Sequence, residues 1–265
     1  MHTFAEVALT YSKMKLFGLI GYPLKNSFSK DYFRNKFEEY DLDYTYENFP
    51  IEDISAIKNL IEIHDDLVGL SVTIPHKETV IPYLDEIDPV ASEIGAVNCI
   101  KIVRDHGKIK LIGYNTDAYG FEVSLVNFLS NHINQKPNTF VFGSGGAAKA
   151  VCYVLKKLKI PFKQLSRKIV EANQINYSEI TDEIIKNNFL LINCTPIGMF
   201  PYENEILPLP FESLTDKHYC YDLIYFPPLT RFLKTASNNG AHTKNGLQLL
   251  YLQAEKSFEI WEQNS

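Results

Sequence analysis

Residues 139–150 read TFVFGSGGAAKA. Strand-forming residues run into a cluster of glycines, and after it Ala147, Ala150, Val151, Val154, Leu155 and Leu158 recur at helical spacing. Gly143, Gly145 and Ala148 fit the pattern G-x-G-x-x-G/A between a strand and a helix. Each position has a physical reason. The first glycine allows a tight turn, the second lets a pyrophosphate approach the backbone, and the small third residue lets helix and strand pack. The helix N-terminus then offers unpaired N–H groups and partial positive charge to phosphate oxygens. Strand, glycines, amphipathic helix and following strand together point to a dinucleotide-binding unit.

The next strand refines the nucleotide. FKQLSRK (162–168) ends in Ser166, Arg167 and Lys168. A binder of NAD commonly carries an acid about 20 residues after the glycines, where it accepts from the ribose hydroxyls. Two cations stand there instead. A planar guanidinium suits a 2′-phosphate, so the position favours NADP.

Strand and helix signals alternate on both sides of this unit. Upstream, KLFGLIG (15–21), YTYENFP (44–50) and LVGLSVTI (67–74) read as strands, with helices over 29–41 and 51–63. AVNCIKIV and KIKLIGYN flank RDHG as a β-hairpin. A longer helix is expected over 116–133, and the polar NQKPN (134–138) marks a junction near it. Downstream, FLLINCTP (189–196) and YCYDLIY (219–225) read as strands, and GLQLLYLQAEKSFEIWEQ (246–263) as an amphipathic helix. The alternation predicts an α/β protein with largely parallel sheets.

The bulk composition narrows the classes. The 265 residues suit one large domain or two ordinary ones, and they are 45% hydrophobic and 22% charged, as in a soluble globular protein. A net charge of −6 supplies no basic field for nucleic acid. Apolar runs are strand-sized, below the roughly 20 residues of a membrane span. The N-terminus lacks a basic segment followed by a continuous apolar stretch, so a cytoplasmic location is expected. Cys99, Cys152, Cys194 and Cys220 form no CxxC pair and read as small hydrophobes in a reducing compartment. No HExxH occurs among the seven histidines, so no metal site is expected; His76 reads as a loop histidine.

One lysine stands out chemically. In GLSVTIPHKE (69–78) a buried-strand pattern stops at Pro75, and Lys77 follows two residues later. A rigid strand and a proline-fixed turn would aim its ammonium, where most lysines merely solvate a surface.

Several motifs coincide in order with one family. GYPLKNSFSK resembles a serine pair in G-x-P-x-x-H-S-x-S-P; VTIPHK, GAVNCI and GYNTDAYG resemble V-T-x-P-x-K, G-A-V-N-T-I and G-x-N-T-D-x-x-G. GSGGAAKA, NCTPIGM, YDLIYFPPLTRFL and GLQLLYLQA follow in the same order. The chain resembles the shikimate dehydrogenases from Lys15 to Trp261. The resemblance implies reversible NADPH-dependent reduction of 3-dehydroshikimate to shikimate, in the pathway to chorismate and the aromatic amino acids. It also implies an N-terminal α/β substrate domain (14–116 with 241–265), a Rossmann-like NADP-binding domain (117–240) and a cleft between them, with residues 1–13 as a dispensable extension. Helices starting near Thr116 and Gly246 would be the two crossings.

The family pattern assigns the chemistry to Lys77 and Asp117. It assigns substrate binding to Ser27, Ser29, Ser71, Thr73, Asn98, Tyr225 and Gln253. The cofactor site implied comprises Gly143, Ser144, Gly145, Gly146, Ala147, Ser166, Arg167, Lys168, Thr195, Met199, Ile224 and Gly246. Neutral hydroxyls and amides suit a small ring bearing hydroxyls, a ketone and a carboxylate. The implied partners are that small molecule and NADP, in a monomer or homodimer, with neither nucleic acid nor membrane. Departures from the pattern are Asn26 for His, Lys30 for Pro, Ser71 for Asn, Cys99 for Thr, and Glu171 where the cofactor loop is often basic. Asp117 also opens a helix and can cap it. A quinate/shikimate dehydrogenase using NAD and a catalytically silent metabolite-binding paralogue remain open on the sequence, as does an unrelated nucleotide-binding module.

Overall fold

The computed structural model describes residues 14–24, 27–166 and 173–263. The first half runs β1 (Lys15–Gly21), α1 (Phe28–Glu39), β2 (Tyr44–Pro50), α2 (Ile57–Ile63), β3 (Leu67–Val72), α3 (His76–Thr79), β4 (Glu86–Ile87), α4 (Pro89–Ile94), β5 (Cys99–Asp105) and β6 (Lys108–Tyr114). These strands form a mixed sheet in the order β2-β1-β3-β5-β6-β4. β1 pairs parallel with β2 and β3, and β5 runs antiparallel to both β3 and β6. The expected hairpin is β5 and β6; among the described residues β5 is the one strand antiparallel to its neighbours, and β4 pairs parallel with β6 at the edge.

α5 (Thr116–Leu129) leads out of this sheet. The second half is β7 (Thr139–Phe142), α6 (Gly146–Lys157), β8 (Phe162–Leu165), β9 (Gln174–Ile175), α7 (Asp182–Lys186), β10 (Leu190–Asn193), β11 (Tyr219–Asp222), α8 (Arg231–Asn238) and β12 (His242–Lys244), and α9 (Leu247–Glu262) closes the chain. The second sheet is ordered β12-β11-β10-β7-β8-β9, and every pairing in it is parallel. Counted from its first strand this is the 3-2-1-4-5-6 order of doubly wound dinucleotide-binding sheets. Its strands read as continuous apolar runs because both faces are covered: Phe140, Val141, Phe142, Leu190, Leu191 and Ile192 are all buried.

β12 belongs to this second sheet through its pairing with β11, although the sequence reading grouped residues from 241 onward with the first half. The return to the first half begins at α9. Three residues carry too little pattern to read as a strand.

α5 and α9 join the halves. Ala118, Phe121 and Leu125 of α5 and Leu249 of α9 share one core with Val151 and Leu155 of α6. Trp261, near the end of α9, packs into the aromatic core of the first sheet beside Phe17 and Phe33, and donates its indole N–H to Ile100 O at 3.0 Å. Among the described residues no helix is long and apolar enough to cross a membrane.

Candidate active site

The site grows from Asn98, just before β5. Its backbone is held on both sides: its N–H donates to Tyr114 O at 3.1 Å and its carbonyl accepts from Val72 N–H at 2.8 Å. Its buried carboxamide is a hub. Oδ1 accepts from Thr116 N–H at 2.6 Å, and Nδ2 faces Thr116 Oγ1 (2.9 Å), Asp117 Oδ1 (3.0 Å) and Gln253 Oε1 (3.3 Å). Two amide hydrogens meet three acceptors, so the amide is saturated and its orientation fixed. Ser257 bonds Thr116 Oγ1 at 2.9 Å, so α9 also steadies the start of α5.

The cap of α5 is Asn115, whose side chain accepts from Ala118 N–H at 3.0 Å. Asp117 is thus not the cap that its place in NTD allowed. Its carboxylate sits in the first turn, where the helix dipole favours negative charge. One oxygen accepts from Asn98, and the other lies 2.5 Å from Lys77 Nζ. Both side chains of this pair are largely shielded, at 18% and 13% exposure, so solvent screens the interaction weakly.

Lys77 lies on the one-turn helix α3, not on a loop. Its carbonyl accepts from Val97 N–H at 2.7 Å, which ties it to the strand entry that carries Asn98. Beside it, His76 is buried with Nε2 2.6 Å from Ile51 O, so the expected loop histidine is a packed structural residue. An ammonium has three N–H donors, and the contact with Asp117 uses one. The pair can hold a proton next to a polar ligand while a carboxylate fixes its direction.

The glycine loop meets this pair. A Cβ on Gly146 would lie 3.3 Å from Lys77 Cβ and 3.6 Å from Ala96 Cβ, so the N-terminus of α6 abuts α3 and the segment that follows α4. Gly143 has φ +109, in the region that favours glycine, and a Cβ there would press on the Cys194 backbone and Thr195 Cγ2. A Cβ on Gly145 would face open space. α6 begins without a side-chain cap, so its first-turn N–H groups remain for a ligand. An open glycine cradle over an uncapped helix fits a pyrophosphate. The loop leaves β7 where the strand order reverses between β7 and β10, the place where such sheets bind ligands.

A buried polar cluster shapes the other side of this crevice. Asp222 accepts from Thr230 Oγ1 (2.7 Å), Ile224 N–H (3.0 Å) and Asn193 Nδ2 (3.0 Å). Asn193 Oδ1 in turn accepts from Thr195 N–H at 2.9 Å. These bonds position Thr195 and Ile224. Burial, partly offset by the three donors, pushes the Asp222 carboxyl up to about 6. Gly246 donates its N–H to Ile224 O at 3.0 Å, and a Cβ on it would collide with the Leu223 carbonyl. Met199 is exposed on the loop after β10, Ser144 on the glycine loop is likewise exposed, Ala147 is half-buried in the first turn of α6, and Ser166 is buried just after β8.

A family description, the shikimate dehydrogenase substrate binding domain, matches residues 19–100. A shikimate dehydrogenase (NADP(+)) of Methanococcus maripaludis is 38% identical, with 94% of this chain and 92% of the relative covered. The chain belongs to the shikimate dehydrogenase family. A Thermus thermophilus shikimate 5-dehydrogenase solved with NADP(H) and shikimate superposes with a TM-score of 0.78 at 27% identity, covering 94% of each chain. A ligand-free 5-ketofructose reductase of Gluconobacter superposes with 0.80 at 29% identity, covering 96% of this chain and 95% of that one. The shikimate dehydrogenase architecture is therefore shared by a protein named for a different substrate.

The residues that the shikimate dehydrogenase pattern nominates fall in two groups. Lys77, Asp117, Asn98 and Gln253 are joined by direct hydrogen bonds. Ser27 caps α1, accepting from Lys30 N–H at 3.2 Å, and Ser29 lies in the first turn of the same helix. Tyr225 reaches this group through Phe28, with ring centroids 5.9 Å apart. Thr73 is half-buried against Gly21, and Ser71 is buried on β3 next to Cys99 of β5. Arg167 and Lys168, the nominated readers of a 2′-phosphate, lie outside the described residues, as do residues 1–13, Asn26 and Glu171. The sequence reading missed Asn115, Thr116 and Ser257, which set the orientation of Asp117. Asn115 had a signal, a capping side chain three residues before Ala118.

Proposed function

We infer that this chain catalyses the reversible reduction of 3-dehydroshikimate to shikimate with NADPH. The observation that carries the reading is the Lys77–Asp117 pair at 2.5 Å, with the dinucleotide loop abutting it at Gly146. NADPH, when bound at the glycine loop, supplies the hydride for the ring carbonyl. Lys77 stabilises the alkoxide that develops on the substrate oxygen and gives it a proton; in the oxidative direction a neutral Lys77 takes the hydroxyl proton. Asp117 orients Lys77 and accepts from a substrate hydroxyl, and Asn98 holds the carboxylate in place. Ser27, Ser29, Ser71, Thr73, Tyr225 and Gln253 supply neutral donors and acceptors to the ring. Wrong ligands leave such groups unpaired, which is how a polar site discriminates.

Substrate binding is assigned to the first sheet with α9, and cofactor binding to the second sheet, with Arg167 and Lys168 reading the 2′-phosphate. The 5-ketofructose reductase superposition makes substrate identity the decisive test. Steady-state rates with shikimate, quinate and 5-ketofructose, each with both nicotinamide cofactors, check it. Shikimate with NADP is expected to give the highest kcat/KM, and a higher value for another pair would replace the assignment.

A further inference from the structure

Among the described residues only two buried side-chain polar atoms lack a hydrogen-bond partner, Tyr46 OH and Asn48 Oδ1. Native interiors pair nearly all such atoms, so exceptions call for an explanation. Both sit on β2 two residues apart, hence on one face of the sheet. In register, Asn48 and Ser71 both pair with Leu19 of the central β1, while Tyr46 pairs with Phe17 two residues earlier. Tyr46, Asn48 and Ser71 therefore share the face that α1 covers.

The Tyr46 ring is held firmly. It is 4% exposed and stacks on Phe33 of α1 with centroids 4.8 Å apart and planes at 16°. Ser29 stands four residues before Phe33, so it lies on the same helix face one turn nearer the N-terminus. The phenol thus points along the sheet toward the serine hydroxyls. Its oxygen lies among those of Ser29 and Ser71 yet is in hydrogen-bond geometry with neither. Burial also holds the phenol far above its ordinary pKa, so it remains a neutral O–H donor.

We propose that Tyr46 is a positioning residue for the substrate, acting through Ser29 and Ser71. The proposal rests on the reading that those two serines bind the ring. A serine hydroxyl that donates to a ligand oxygen keeps lone pairs to accept with. Ligand binding turns the Ser29 and Ser71 rotors toward the ring, and the single Tyr46 O–H then donates to a lone pair of one of them. The phenol oxygen itself is too buried to touch the ligand. The buried donor is unpaired without substrate and paired with it, so its gain falls entirely on the bound state, and each bond in such a chain strengthens the next.

Removing only the hydroxyl tests this. Tyr46→Phe is expected to raise the KM for shikimate about 5–10-fold, the worth of one neutral hydrogen bond. Its kcat and its KM for NADP should stay within about 2-fold, and its melting temperature without ligand should be unchanged or higher, because an unpaired buried hydroxyl is lost. The rise in melting temperature induced by shikimate should shrink. In a Ser29→Ala/Ser71→Ala background, Tyr46→Phe should add less than about 2-fold, since coupled residues are non-additive. An unchanged shikimate KM in an active Tyr46→Phe enzyme overturns the proposal, as does full additivity in the serine background. Equal losses for shikimate and NADP with a lowered melting temperature would mean a packing role and also overturn it. A wild-type enzyme inert toward shikimate overturns the assigned reaction itself, and this proposal with it.

Discussion

The Lys77 ammonium and the Asp117 carboxylate lie 2.5 Å apart, although 40 residues separate them in sequence. One comes from a single-turn helix after β3 and the other from the first turn of α5. Their meeting depends on the β3–β5 pairing, because Asn98 sits at the entry of β5 and bonds the start of α5.

Replacing Lys77 tests the pair directly. Lys77→Ala should fold normally, leave the KM for shikimate within a modest factor and lower kcat by roughly 10²–10⁴, the range for a positioned acid–base group. Lys77→Met, which keeps the length and removes the charge, should behave alike. If the two residues act as one unit, Lys77→Ala/Asp117→Asn should lose little more than the worse single variant. Steady-state kinetics on the three variants decide it. Additive losses would mean separate roles.

The glycine cradle permits a cleaner substitution than most. The Cβ direction of Gly145 opens on empty space, and its φ of −78 suits any L-residue. Gly145→Val should therefore keep its melting temperature. It should raise the KM for NADP by about 10-fold or more, because the pyrophosphate needs close approach to the backbone there. The KM for shikimate should hardly move. A fall in stability with unchanged cofactor kinetics would mean that this glycine serves the fold alone.

Asp222 should leave a mark on stability as pH changes. Burial raises its folded pKa from the ordinary 3.8 to about 6. The protonated form is thus favoured in the folded state, so its contribution is complete below about pH 3.8 and is lost as pH rises through about 6. The span corresponds to about 3 kcal/mol. Asp222→Asn lacks this titration and can still accept from Ile224 and Asn193. The stability of the natural chain minus that of Asp222→Asn should therefore fall between about pH 4 and about pH 7 in thermal or urea unfolding. Parallel curves would show that the carboxyl does not titrate there.

The proposed function gives the choice of cofactor to Arg167 and Lys168. Arg167→Ala should raise the KM for NADP and leave NAD kinetics nearly unchanged, since only NADP carries the phosphate that a guanidinium grips. Equal losses with both cofactors would remove Arg167 from phosphate reading.

The sequence was most legible where one rule acted alone. The β1 and β2 bounds follow from their own hydrophobic patterns, and the glycine loop from its strand–turn–helix setting. β4, β9 and β12 have two or three residues each and exist through their partners, so no local period announces them. The strand expected to reach Ile74 stops at Val72, after which Thr73 N–H still bonds Ile20 O and its carbonyl turns to His76 N–H. The helix expected from Ile51 begins as a 3-10 turn capped by Asp53, whose side chain accepts from Ser55 N–H. At the site, the family motifs marked Lys77, Asp117, Asn98 and Gln253. The residues that aim them were hidden because their contacts are long-range: Ser257 meets Thr116 across 141 positions. Tyr46 looked like one more aromatic of an alternating strand until its hydroxyl proved to be buried without a partner.

One assay tests the proposed reaction itself. The purified chain is mixed with shikimate and NADP at alkaline pH, and the near-ultraviolet absorbance of NADPH is followed. Oxidation releases a proton, so alkaline conditions draw the equilibrium toward the ketone. NADPH is expected to form in proportion to enzyme, at a rate roughly 10²–10⁴ lower for Lys77→Ala. No NADPH from the natural chain, or an undiminished rate from Lys77→Ala, would contradict this expectation.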